Sequence, residues 1–175
     1  GAAGMTMYDP EYLRLARQLC DRYEIHLICD EIAVGCGRTG TFFAHEQAEI
    51  RPDLMCLSKG ISGGYLPLSI VLCSDTIYEA FLDDSVARAF LHSHSYTGNA
   101  LACTAALATL DIFATDGVIE RNRTLASHLG RRAQELLGEL EHVAEVRQCG
   151  MIVAAEFARG GDRHRPFDWR ERRGL

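Results

Sequence analysis

Two side chains hold most of the chemistry this 175-residue sequence can offer. Of its 18 lysines and arginines, 17 are arginine, which leaves Lys59 as the one side chain with a primary amine. An amine adds to an aldehyde and forms an imine, whereas a guanidinium stays protonated and does not. The plain alternative is a bias toward arginine in which a single lysine survives without a role. Asp30 is the second residue of interest. It ends the apolar run 25–29, as Lys59 closely follows the apolar run 54–57. A lysine that holds pyridoxal phosphate as an imine needs a carboxylate elsewhere to keep the pyridine nitrogen protonated, so that the ring can accept electrons. Asp30 and Lys59 would supply that pair. On spacing alone, a cap or loop carboxylate is the more ordinary role for Asp30 and its neighbour Glu31.

Other constellations carry less. His92 and His94 lack a third ligand at suitable spacing, so a polar loop is expected rather than a metal centre. Ser58-Lys59-Gly60 is no phosphate-binding loop, because its glycines follow the lysine instead of preceding it. Cys36 has no marked base nearby. Arg38 is a candidate anion ligand, although a surface or interface salt bridge is the more ordinary expectation.

The elements that would position these residues follow from periodicity. Asp9-Pro10-Glu11 is a helix start, and apolar residues at helical spacing predict a helix over 10–23. The runs 25–29, 54–57 and 68–73 predict strands, with glycine-rich turns after the first two. Strands alternating with helices imply an α/β layer whose ligands bind beyond the strands' C-terminal ends, where Asp30 and Lys59 both fall. A buried, alanine-rich helix is expected over 100–114, an amphipathic one over 118–140, two small strands at 143–147 and 151–157, and a charged helix from about Phe167. A boundary near Asp116-Gly117 would divide a sheet domain, 1–116, from a smaller α+β unit, 117–175.

The formal net charge of -6 argues against a nucleic-acid partner. No apolar run is long enough to span a bilayer, and Gly1-Ala2-Ala3-Gly4 does not open like a signal peptide. Seven cysteines, an odd number without a CxxC pair, read as buried reduced thiols of a cytoplasmic protein. The missing initiator methionine and the stop at Arg173-Gly174-Leu175 lead one to expect a piece of a longer chain.

DEIAVGCGRTGTFFAHEQ (30–47), PDLMCLSKGISGGYLPLS (52–69) and HSHSYTGNALAC (92–103) together resemble the class III aminotransferases of fold type I, in order and separation, and the resemblance extends over essentially the whole chain. It implies a pyridoxal 5'-phosphate cofactor and a large, mostly parallel mixed-sheet domain followed by the start of a small α+β domain. Lys59 would be the cofactor lysine, touching cofactor and substrate and moving the proton between them. Asp30 would pair with the ring nitrogen and Ile32 would pack on the ring face. Ser95, with His94 beside it, would reach the cofactor phosphate of a neighbouring subunit, and Ser93 would contact substrate, which implies a homodimer. Ala33 and the GGYLPLS and HSHSYTGN runs resemble the branch that takes its amino group from S-adenosylmethionine and passes it to 8-amino-7-oxononanoate. Enzymes of the class acting on other ω-amines, or a non-catalytic remnant, are the alternatives.

Overall fold

The computed structural model describes residues 4–172. The first three and last three residues, including the start of the chain and the Arg173 end of the expected C-terminal helix, lie outside them. The helix α1, Pro10–Arg22, begins where the sequence predicts. The Asp9 side chain accepts from the Glu11 amide at 2.8 Å, and Pro10 occupies the first turn, where its missing N–H costs nothing. The ion pair of Arg17 with Asp53 docks α1 on the chain that follows, Arg17 also pairs with Asp21 within the helix, and the Arg14 guanidinium donates to the Gln47 and Ala48 carbonyls.

The first sheet has three strands in the order β1 (Ile28–Asp30), β2 (Leu54–Leu57) and β3 (Ile70–Cys73). β1 is shorter than its apolar run predicts because residues 25–27 make other bonds. The Ile25 amide closes the end of α1 on the Cys20 carbonyl, and the Leu27 amide donates to the Asp53 carboxylate at 2.7 Å. β1 and β2 are parallel, with Asp30 opposite Cys56. β3 runs antiparallel to β2, since the twelve residues between them contain only a 3-10 turn, Lys59–Ser62, and no full crossover helix. β3 also starts two residues later than its apolar run.

A five-residue helix, α2 (Asp75–Glu79), and an exposed segment lead to α3 (Ala100–Thr115), capped by the Asn99 side chain on the Ala102 amide. α3 packs on the 3-10 turn that begins at Lys59. Its expected all-round burial is not observed. Ala102 and Ala106 are buried, but Leu101 and Leu107 are 71% and 62% exposed, so only the small-residue stripe meets this chain. Gly117, at φ 59°, makes the sharp link to α4 (Val118–Leu137), which meets α3 at 76°. No single helix among the described residues is long and apolar enough to cross a membrane.

β4 (Val143–Cys149) and β5 (Ile152–Phe157) form an antiparallel hairpin, in which β4 runs two residues further than the alternation predicts and β5 starts one residue later. The hairpin turn rests on the loop after β1. The Met151 amide donates to the Arg38 carbonyl at 2.8 Å, and a Cβ on Gly150 would lie 2.6 Å from that oxygen. Beyond Phe167 the described residues form a short 3-10 turn, Trp169–Glu171, and not the helix that the sequence predicts.

Candidate active site

Parallel pairing of β1 and β2 sets the site. The Glu31 amide donates to the Cys56 carbonyl at 3.0 Å, which carries the register one residue past Asp30. Asp30 therefore ends its strand opposite a residue three before Lys59. Asp30 is exposed, and one of its oxygens accepts from the Ile32 amide at 2.9 Å. That bond is the local turn the sequence allowed for, and it leaves the other carboxylate oxygen without a hydrogen-bond partner among the described residues.

Lys59 has φ 48°, in the left-handed region that side chains other than glycine rarely adopt. Neighbouring bonds hold it there. The Ser58 hydroxyl donates to the Leu68 carbonyl at 2.6 Å, and buried Ser62 donates to the Leu66 carbonyl at 2.6 Å. Gly60 lets the two loops meet, since a Cβ there would lie 2.8 Å from that of Cys36. The Lys59 ammonium makes no ion pair or hydrogen bond among the described residues. It borders a cavity of about 170 Å³ that it shares with Ile32, Ala33, Arg38, Met5 and Ile152.

This cavity joins three of the residues singled out in the sequence, Lys59, Ile32 and Ala33, with Asp30 at the adjoining strand end. It also takes in Arg38, whose guanidinium forms no salt bridge among the described residues. Met5 and Ile152 had no signal in the sequence, because they come from parts of the chain remote from the glycine-rich loops. The Arg147 side chain ties Met5 in place by donating to the Gly4 and Met5 carbonyls.

Ser93, His94 and Ser95 are not brought to this cavity. All three are exposed in the segment before α3, and His94 lines a separate cleft of about 650 Å³ together with Ser58, Thr97 and Asn99. The His94 amide donates to the Thr97 hydroxyl and its ring accepts from the Tyr96 amide. Among the described residues no group of three or more His, Cys, Asp or Glu side chains gathers in a way that could hold a metal ion.

Glu31 differs from its neighbour. It is 3% exposed, and its two oxygens accept from the Ala44 and His45 amides and the His45 ring, each at 2.9 Å. The sequence showed a carboxylate pair but not that one member turns inward. The thiols are free. Burial, aided by the charge of Glu31, pushes the Cys29 thiol up to about 11 and raises that of Cys36 as well, which disfavours Cys36 as a nucleophile. Cys73 is exposed, contrary to its place in an apolar run.

Comparison with known proteins gives this geometry a context. The sequence profile of the family described as aminotransferase class-III matches residues 1–172. A Geobacter sulfurreducens protein named adenosylmethionine-8-amino-7-oxononanoate aminotransferase is 46% identical over 176 residues, covering 100% of this chain and 39% of its own length. A Helicobacter pylori protein of the same name is 52% identical over 159 residues, covering 89% of this chain and 36% of its own. The chain thus spans about two fifths of the length of the curated relatives it matches. Among solved structures, adenosylmethionine-8-amino-7-oxononanoate aminotransferase from Methanocaldococcus jannaschii superposes with a TM-score of 0.91 at 38% identity, over 99% of this chain and 41% of that one. An amine transaminase from an uncultivated Pseudomonas species, in its PLP-bound form, gives 0.90 at 31% identity, over 98% and 39%.

Proposed function

The chain belongs to the class III aminotransferase family, and on that footing we propose that it carries the lysine-bearing part of a pyridoxal 5'-phosphate site. The reaction proposed for the protein that carries it moves an amino group from S-adenosylmethionine to 8-amino-7-oxononanoate. The observation that carries this reading is the placement of Lys59. The only primary amine on a side chain, it lines a cavity without an ion-pair or hydrogen-bond partner among the described residues, beyond a strand that lies parallel to the one ending in Asp30.

The residues fit the faces of the cofactor they would touch. An unpaired amine suits its aldehyde, a carboxylate oxygen without a hydrogen-bond partner suits its ring nitrogen, and the apolar Ile32 suits its ring. When bound, the cofactor supplies an electron sink for the carbon that loses a proton. Lys59 Nζ would bind the cofactor and afterwards take and return that proton. Asp30 would hold the proton on the ring nitrogen through a charge-assisted hydrogen bond. Ile32 would orient the ring. Arg38 offers a planar, bidentate partner for a substrate carboxylate from the same cavity wall.

Ser95, with His94 beside it, would bind the cofactor phosphate in a second copy, and Ser93 would contact substrate, so a homodimer with shared sites is part of the proposal. Their exposure, away from this chain's own lysine cavity, supports that assignment. Seven free cysteines agree with a reducing, cytoplasmic setting. The choice of substrates rests on the identity of 46% to 52% with proteins of that name, and on Ala33, which lies in the cavity wall.

The test uses the protein carrying this chain. Lys59→Ala is expected to abolish the visible absorbance of bound cofactor and to lower turnover by at least a thousandfold. Wild-type absorbance or turnover in that variant would overturn the assignment. A single-turnover assay should show amino transfer from S-adenosylmethionine, and transfer from ornithine or another ω-amine instead would replace the substrate pair.

A further inference from the structure

Glu31 is the one carboxylate among the described residues that is fully withdrawn from solvent, yet the chemistry proposed above does not use it. A buried carboxylate is costly unless its oxygens are hydrogen-bonded, and here both are. Oε2 accepts from the Ala44 amide; Oε1 accepts from the His45 amide and the His45 ring nitrogen Nδ1. The ring is held in turn by stacking on Phe43, with centroids 5.6 Å apart and planes at 14°.

The main chain of Glu31 is tied on both sides. Its amide donates to the Cys56 carbonyl, and its carbonyl accepts from the Gly35 amide at 2.9 Å. Gly35 is required for that approach, since a Cβ there would lie 2.8 Å from the Glu31 oxygen. Glu31 thus joins the end of β1, the next strand, and both ends of the loop 32–44. Asp30 and Ile32 are its two neighbours, and the one hydrogen bond between them spans it.

We propose that Glu31 is a positioning residue, whose buried carboxylate fastens the loop after β1 and so sets the backbone from which Asp30 and Ile32 meet the cofactor. The inference rests on the cofactor-binding reading of Lys59 and Asp30. It assigns Glu31 no contact with cofactor or substrate.

The experiment compares Glu31→Gln, Asp30→Asn and the double variant in the protein carrying this chain, with added pyridoxal 5'-phosphate as the probe. Glutamine keeps the size but replaces one acceptor oxygen with an amide nitrogen that faces an N–H donor. Glu31→Gln is expected to weaken cofactor binding by about tenfold or more, the loss that follows when a buried group loses its partner. The absorption band should shift in the same direction as in Asp30→Asn. The double variant should bind little worse than Asp30→Asn alone, because both act through one group. Amide exchange at Ile32, Ala44 and His45 should quicken in Glu31→Gln. If Glu31→Gln fails to fold, His45→Phe removes the ring donor while keeping a ring to stack on Phe43, and should show the same coupling to Asp30 at smaller amplitude. A variant that loses thermal stability but keeps wild-type cofactor affinity and band position overturns the proposal, as do fully additive effects. A wild-type protein with no Lys59-dependent band would instead overturn the reading on which the proposal rests.

Discussion

At the scale of single residues, the site brings together chemistry and strain. Lys59 holds a left-handed backbone, at a cost on the order of 1–2 kcal/mol for a residue with a Cβ. Glycine would relieve most of that cost. Lys59→Gly should therefore raise the unfolding free energy of the cofactor-free protein by about 1 kcal/mol, while removing the amine altogether. Denaturant titration of the two apo proteins would measure this, and a Lys59→Gly variant less stable than wild type would show that the turn is not strained. The thiols give a second check. With its thiol raised to about 11, Cys29 is about one part in a thousand thiolate at pH 8. Mass spectrometry after brief iodoacetamide treatment should find Cys29 unmodified in the folded protein, and fast labelling would mean that β1 opens readily. Lys59 stood out in the sequence because its residue type is singular. Glu31 did not, because two adjacent carboxylates look alike until the fold turns one inward.

At the scale of elements, the site depends on α1 and β2 being fixed to each other. Asp53 joins them by accepting from the Arg17 guanidinium and the Leu27 amide, each at 2.7 Å. The Arg17 hydrogen bond, then the Leu27 amide, hold the Asp53 carboxyl below its ordinary value of 3.8. A carboxyl lowered by folding contributes stability that is complete above the unfolded value and lost as pH falls through the folded one. Asp53→Asn should therefore cost about 1–2 kcal/mol at pH 7, and the gap to wild type should close as the pH falls below 3.8 and through the lowered folded value. Thermal melts of both proteins from pH 7 to pH 2.5 would show it, and a pH-independent gap would mean that the loss is packing alone.

Helix α1 was legible to within a residue, because capping and periodicity are local signals. The apolar runs overstate β1 and carry no direction for β3, because the first depends on the Asp53 carboxylate 26 residues away from Leu27 and the second on what the intervening chain lacks. Arg38 and Met5 reach the Lys59 cavity only through the packing of the distant hairpin. Its Gly150 turn sits on Arg38–Thr39, and its Arg147 holds the Met5 carbonyl. No spacing rule conveys such contacts.

At the scale of the whole molecule, the chain exposes 12664 Å². A compact monomer of 19.4 kDa would expose roughly 8,500 Å², so a large area here is shaped to be covered. Much of it is apolar and lies between Tyr65 and Ile112, where Tyr65, Phe90, Leu91, Tyr96, Leu101 and Leu107 are each more than 60% exposed. Monomers rarely leave so many large apolar side chains open. The segment that holds Ser93 and Ser95 runs through its middle, which is where a second copy would have to lie for Ser95 to act across a subunit boundary. Leu107 lies on the exposed side of α3 and does not line the cavity beside Lys59, so it separates assembly from chemistry. In the protein carrying this chain, Leu107→Arg would place an unpaired charge in the proposed interface. It should weaken self-association by at least a hundredfold, on the order of 3 kcal/mol. Cofactor affinity should fall along with it, although the residue does not line the Lys59 cavity, because the partner's Ser95 is withdrawn. Sedimentation velocity with cofactor titration would follow both at once. A variant that remains dimeric with full cofactor affinity but melts earlier would place α3 under another part of its own chain, and would remove the shared site from the proposal.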